Sequence, residues 1–291
     1  MRTRALSAIG VIVVGLVPVL LGGPVFAVLM GALALVGWRE FSAMGARLPF
    51  SPRIPQTGAL AVLALLVAGY FSWPLPVDAA ILGIAFAAPL VAQFADPEHP
   101  GAISGWALAV AGSIYLGIPA LAAMWLRGLP GDTAAPWLND LSDRLAFAWP
   151  SAPAGLAWTL LVVLVTWAAD TAAYLVGRTW GRRKLAPRLS PKKTVEGAIG
   201  GLAGAAVVAY ACFTIFGFPG GPAIAVSAGL LIGLAGQVGD LSESLMKRQA
   251  GIKDSGDVIP GHGGILDRID ALLFAFPVGW VIAAFLQGSG L

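Results

Sequence analysis

Residues 197–239 read GAIGGLAGAAVVAYACFTIFGFPGGPAIAVSAGLLIGLAGQVG, forty-three residues without a charged side chain. A spanning helix needs about 20 apolar residues, so the stretch holds two. Phe218-Pro219-Gly220-Gly221-Pro222 marks the break between them, because proline and glycine together end helices. Gly197 with Gly201, and Gly200 with Gly204, place small residues one turn apart, a pattern that serves close helix packing.

The same reading extends outward. Residues 5–38 carry no charge and are broken at Leu21-Gly22-Gly23-Pro24 into two short helices. Further spans are predicted over 54–77, 77–95, 101–126 (with a kink at Pro119), 154–177 and 267–286. The sum is an all-α, polytopic integral membrane protein with about nine transmembrane helices. Arg2 and Arg4 before the first apolar run resemble a signal peptide, but no small-residue cleavage site closes a short apolar region, so the run is read as retained.

Composition agrees. Of 291 residues, 58% are hydrophobic and 11% charged, where a soluble domain has about 25% charged. That excludes a soluble globular domain, and the apolar content excludes disorder. Cys212 is the only cysteine, so no internal disulfide and no cysteine-based zinc or iron–sulfur site can form. With the N-terminus in the cytoplasm and nine alternating helices, 16 of the 18 lysines and arginines fall on the cytoplasmic side, as the positive-inside rule requires. Arg127 and Arg144 are the exceptions. The net charge of +3 is read as basic loops facing anionic lipid and phosphate, with no nucleic-acid partner. The organisation is five N-terminal membrane helices over 1–150, then catalytic helices and cytoplasmic loops over 151–291.

Charges are costly near hydrocarbon and mark function. Two places concentrate them. Asp240 and Glu243 stand three apart at the end of one helix, and Asp267 and Asp270 repeat that spacing at the start of the next. Carboxylates gathered this way repel unless a cation lies among them, and their hard oxygens select magnesium or manganese. The plainer alternative is that they cap helices and pair with Lys247, Arg248 and Arg268. Lys247, Arg248 and Lys253 lie between the acids, and basic groups beside such a cation point to a polyphosphate ligand. Pro260-Gly261-His262-Gly263-Gly264 forms an open turn whose backbone N–H groups can approach an anion. His262 is a turn residue, a phosphate ligand or a proton donor. The second place is Asp170 with the basic segment 178–193, which ends in Ser190-Pro191-Lys192-Lys193-Thr194. Asp170 is either part of the acidic site or a helix-end acid paired with Arg178 or Arg182.

Ser244-Leu245-Met246-Lys247-Arg248, then Lys253-Asp254, Gly256 and Pro260-Gly261-His262-Gly263-Gly264-Ile265-Leu266-Asp267-Arg268-Ile269-Asp270, resembles the signature of the phosphatidate cytidylyltransferases, the CDP-diacylglycerol synthases. Gly239 to Ser244, Ser190 to Gly197, and Asp170 with Tyr174 to Gly177 extend the resemblance over the C-terminal 120 residues. The resemblance implies a magnesium-dependent, homodimeric membrane nucleotidyltransferase of phospholipid synthesis. It would join CTP to phosphatidate, release pyrophosphate, and carry a second, potassium-like cation. The compact length points to a bacterial inner (plasma) membrane, with the active site on the cytoplasmic side.

On that reading Asp240 and Asp267 are the leading metal ligands. Glu243 and Asp270 bind the ion or support those that do, and Asp170 completes the region. Lys247, Arg248, Lys253 and Arg268 neutralise the phosphates, with His262 beside them and Gly263 and Gly264 offering their N–H groups. Ser190, Lys192 and Lys193 hold either phosphatidate or the nucleotide. A transporter and a CTP-using lipid-alcohol kinase are the competing classes.

Overall fold

In lipid every backbone polar group must be satisfied within the chain, and a helix does this locally. The computed structural model describes residues 14–49, 52–146, 149–258 and 263–288. Residues 14–21 are helical. There follow α1 (Gly23–Gly45), α2 (Thr57–Tyr70), α3 (Leu75–Ala92, continued by a 3-10 turn to Ala95), α4 (Ala102–Arg127), α5 (Pro136–Leu145) and α6 (Pro153–Thr179). A hairpin of β1 (Lys184–Ala186) and β2 (Ser190–Thr194) leads into α7 (Val195–Phe216), α8 (Gly221–Gln249) and α9 (Leu266–Gln287). Among the described residues seven helices are long and apolar enough to cross a membrane: α1, α3 with its 3-10 turn, α4, α6, α7, α8 and α9. The protein is therefore a polytopic helical membrane protein.

Most predicted spans recur within a few residues. The expected first helix lies largely outside the described residues. The helix expected over 54–77 is only 14 residues long, about 21 Å. It ends where Ser72 takes a positive φ before Trp73-Pro74. The eighth helix was expected to carry Asp240 and Glu243 at its end, and α8 does so, continuing through Lys247 to Gln249. Its 29 residues span about 43 Å, more than the roughly 30 Å of hydrocarbon. The polar end can stay helical in water because its hydrogen bonds are internal. Two further elements were not foreseen: the hairpin inside the basic loop and α5 inside the polar loop.

The chain forms two compact units. One comprises Met1–Pro18, Pro24–Trp125 and Leu245–Ile269; the other comprises Val19–Gly23, Leu126–Ser244 and Asp270–Leu291. In the first, Trp38 and Phe41 of α1 are buried. The Trp38 indole donates to Gln56 at 3.0 Å. The buried Ser113 hydroxyl lies 2.7 Å from Ala109 O within α4 and 3.3 Å from Gly58 O of α2.

In the second unit α6 and α7 meet through the predicted small residues. A Cβ on Gly197 would lie 2.8 Å from Ala173 O, one on Gly201 2.9 Å from Ala169 O, and one on Gly204 2.6 Å from Ala172 Cβ. Backbones this close require glycine, as the spacing implied. The break at Gly22 is real, with φ +67°. It is closed by a residue that sequence reading set aside. Buried Arg127 donates to Val19 O at 2.8 Å and Leu20 O at 3.2 Å, and Trp149 donates to Leu21 O at 2.8 Å. These carbonyls end a helix and have no partner within it.

Candidate active site

Five elements of the second unit converge on one cavity of about 410 Å³. α6 contributes Asp170, Tyr174 and Arg178; β1 contributes Leu185; β2 contributes Lys192 and Lys193; α7 contributes Gly197 and Ala198; α8 contributes Gln237 and Asp240. The hairpin is antiparallel, with Lys184 opposite Thr194 and Ala186 opposite Ser190. Its base is fastened by Glu196, whose carboxylate accepts from Arg182 N at 3.0 Å and Arg183 N at 3.1 Å. Thr194 caps α7 by accepting from Gly197 N at 3.1 Å. These local bonds turn a basic stretch into a support that presents two lysines to the cavity. Lys193 Nζ stands 2.5 Å from Asp240 Oδ2.

Behind Asp240 lies more negative charge. Glu243, one turn on along α8, is fully buried. Asp270 on α9 interacts electrostatically with Asp240, Glu243 and Asp170, and its Oδ1 accepts from Ala271 N at 2.8 Å. Three helices thus bring four predicted acids into mutual electrostatic range. Gln237, which the sequence reading missed, donates to Ala198 O at 2.9 Å and ties α8 to α7.

Oxygen-only donors of this kind suit a hard divalent cation, whose charge would offset their repulsion. In chemistry the residues fit magnesium or manganese. Among the described residues no group of three His, Cys, Asp or Glu side chains is already drawn into coordinating range.

The signature segment of the first unit forms a second constellation. Lys247 Nζ lies 2.5 Å from Asp267 Oδ1. Asp267 Oδ2 accepts from Ser255 N at 2.8 Å, Ser255 Oγ at 3.0 Å and Gly264 N at 2.8 Å. Gly263 adopts φ +83°, and a Cβ there would stand 2.7 Å from Asp267 Oδ2. Gly263 and Gly264 therefore lie against the carboxylate. Arg248 Nη1 donates to Ile252 O at 2.9 Å. Lys253 and Arg268 are exposed. His262 lies outside the described residues.

The predicted residues thus fall into two sets. Asp170, Ser190, Lys192, Lys193, Asp240, Glu243 and Asp270 belong to one unit; Lys247, Arg248, Lys253, Gly263, Gly264, Asp267 and Arg268 belong to the other. The sequence reading missed Ser255, Gln237 and Glu40. Glu40 had one visible signal: with Arg39 it breaks an otherwise apolar helix.

An oxygen-rich acidic cavity with lysines beside it suits an enzyme that handles phosphate anions. The family model for the cytidylyltransferase family matches residues 2–286, and the chain belongs to that family. Phosphatidate cytidylyltransferase of Synechocystis sp. is 32% identical over 97% of this chain and 96% of its own length. Phosphatidate cytidylyltransferase of Brucella suis is 34% identical over 98% of this chain and 93% of its own. The Staphylococcus aureus protein of the same name is 46% identical over 124 residues, 43% of this chain and 48% of its own.

Proposed function

We propose that the chain transfers the cytidylyl group of CTP to phosphatidate, giving CDP-diacylglycerol and pyrophosphate for phospholipid synthesis. The observation that carries this reading is that Lys192, Lys193, Asp170 and Asp240 line one and the same cavity. Such a site gathers anionic phosphates and holds a cation beside them.

A phosphatidate oxygen attacks the α-phosphorus of CTP. The new P–O bond forms there, the bond from the α-phosphorus to the bridging oxygen breaks, and that oxygen leaves with pyrophosphate. A phosphate monoester has a second pKa near 6, so the attacking group is already largely ionised at neutral pH. No general base is required. What remains is alignment and neutralisation of charge. Lys192 and Lys193 hold a substrate phosphate, with Ser190 on the same strand. Lys247, Arg248, Lys253 and Arg268 neutralise the triphosphate and the departing pyrophosphate, and Gly263 and Gly264 give that region its open backbone. His262 precedes Gly263 in the sequence and would serve as a phosphate ligand or proton donor.

Asp170, Asp240, Glu243 and Asp270 would hold magnesium or manganese, and their combined charge accommodates a second, potassium-like ion. Asp267 can ligate a cation only in exchange for Lys247, which holds its Oδ1. When bound, the divalent ion supplies charge neutralisation at phosphate oxygens.

The same reading places the enzyme in a bacterial inner membrane as a homodimer with nine crossings, the N-terminus and active site cytoplasmic. The helix predicted from residue 5, of which residues 14–21 are described, and α2 would supply the two further crossings. Arg53 and Asp96 pair at 2.6 Å, which supports the assignment of their two loops to one side.

The test is turnover. Purified protein with labelled CTP and magnesium is offered phosphatidate or a polyprenol. CDP-diacylglycerol and equimolar pyrophosphate from phosphatidate alone is the expected result. Labelled polyprenyl phosphate, or solute transport without CTP consumption, would replace this reading with one of its rivals.

A further inference from the structure

Glu40 lies within α1, far in sequence from the signature segment, and is only 5% exposed. A buried carboxylate needs a cation or several hydrogen bonds. Glu40 has the second arrangement. Its Oε2 accepts from Ser255 Oγ and from Leu266 N, each at 2.9 Å, and its Oε1 accepts from Ile265 N at 2.9 Å. Ile265 and Leu266 open α9, where N–H groups lack helical partners and the helix dipole favours negative charge. Glu40 therefore caps α9 from another helix.

Two glycines of the signature are shaped to its approach. A Cβ on Gly256 would stand 2.6 Å from Glu40 Oε1, and one on Gly264 would stand 2.5 Å from Oε2. Ser255 links this cap to Asp267. Its single hydroxyl lies 2.9 Å from Glu40 and 3.0 Å from Asp267. Moving Glu40 thus disturbs the serine, the start of α9 and the carboxylate that Lys247 holds.

We propose that Glu40 is a positioning residue for cytidylyl transfer, clamping the Ser255–Asp267 segment so that Lys247 and Asp267 keep their working geometry. The proposal rests on the transferase reading above. Glu40 touches no substrate in this role; it acts through Ser255 and the first turn of α9.

The test uses the full chain in detergent. Glu40→Gln keeps the side chain's shape but replaces one acceptor oxygen with a donor, so N–H meets N–H on one side of the clamp. The expected result is a kcat about 10²-fold lower, as small misplacements near a reacting centre produce. The apparent KM for phosphatidate should be retained, and the unfolding midpoint should fall only as far as the loss of one buried hydrogen bond implies. Amide exchange at Ile265 and Leu266 should be about tenfold faster or more, as loss of charge-assisted bonds implies. A residue that only stabilised the fold would lower the midpoint and leave the kcat of the folded enzyme alone. Folded Glu40→Gln enzyme with wild-type kcat overturns the proposal. Should that variant not fold, Ser255→Ala decides: it removes the shared hydroxyl without changing charge. A lowered kcat at unchanged KM for phosphatidate supports the clamp, and wild-type kcat overturns it. Wild-type protein that consumes no CTP overturns the transferase reading itself, an outcome distinct from active wild type with an indifferent Glu40.

Discussion

Asp240 faces opposite charges on its two sides. Lys193 is 2.5 Å away, while Asp170, Glu243 and Asp270 share its acidic cluster. The lysine offsets part of the repulsion, and a cation would offset the rest. Asp240→Asn removes the charge and keeps the shape. Turnover should fall about 10²-fold or more, the range seen when a preorganised electrostatic contact is lost. The rate should no longer respond to a magnesium titration, while the protein stays monodisperse in detergent. Wild-type rate with normal magnesium dependence would remove Asp240 from the metal site. Lys193→Ala leaves Asp240 without that ion pair and the cavity without one cation. The apparent KM for at least one substrate should rise about tenfold, the weight of one charge-assisted bond. Unchanged constants for both CTP and phosphatidate would exclude the hairpin from substrate binding. At this scale the acids and lysines were legible because charge is rare in a membrane chain and therefore informative. Glu40 was not, since one carboxylate in an apolar helix says nothing of which distant N–H groups it meets.

The α6–α7 contact is an element-scale device, and its glycines can be tested singly. A Cβ on Gly201 would stand 2.9 Å from Ala169 O and 2.9 Å from Gln237 Nε2. Gly201→Val should therefore force the helices apart and cost about 1–3 kcal/mol, read as a lower unfolding midpoint. Gly31→Ala in α1 is the control: nothing lies within 4 Å of its Cβ position, and the midpoint should hold. Equal midpoints for the two variants would mean that α6 and α7 do not depend on close approach. This interface was readable in the sequence because four-residue spacing of glycine has one geometric meaning on a helix. The hairpin was not readable. Residues 184–194 contain two prolines and four basic residues, a composition that says loop, and it is Glu196 that fastens the strands from the following helix. α5 was hidden likewise inside a short polar connection. α8 runs on past Glu243 to Gln249, because charge ends a membrane span and not a helix.

For the molecule as a whole, charge distribution sets the side on which chemistry occurs. The basic segment 178–193 holds seven of the 18 lysines and arginines, and the cytoplasmic leaflet attracts such segments. α6 lies between this segment and the loop carrying α5, so the two belong on opposite sides if α6 crosses once. Cys212 is the only cysteine and is buried, so Cys212→Ala provides a clean background. In it, Asp140→Cys on α5 and Arg188→Cys beside the hairpin place one thiol at each exposed position. Intact cells treated with a membrane-impermeant maleimide should label Asp140→Cys and leave Arg188→Cys untouched until the membrane is opened. Labelling of both in intact cells would mean that α6 does not span. The reverse pattern would put Lys192, Lys193 and Asp240 on the outer face, away from the nucleotide pool. The proposed reaction would then lack its substrate whatever the geometry of the site, which makes sidedness a condition on the mechanism as strict as any ligand distance.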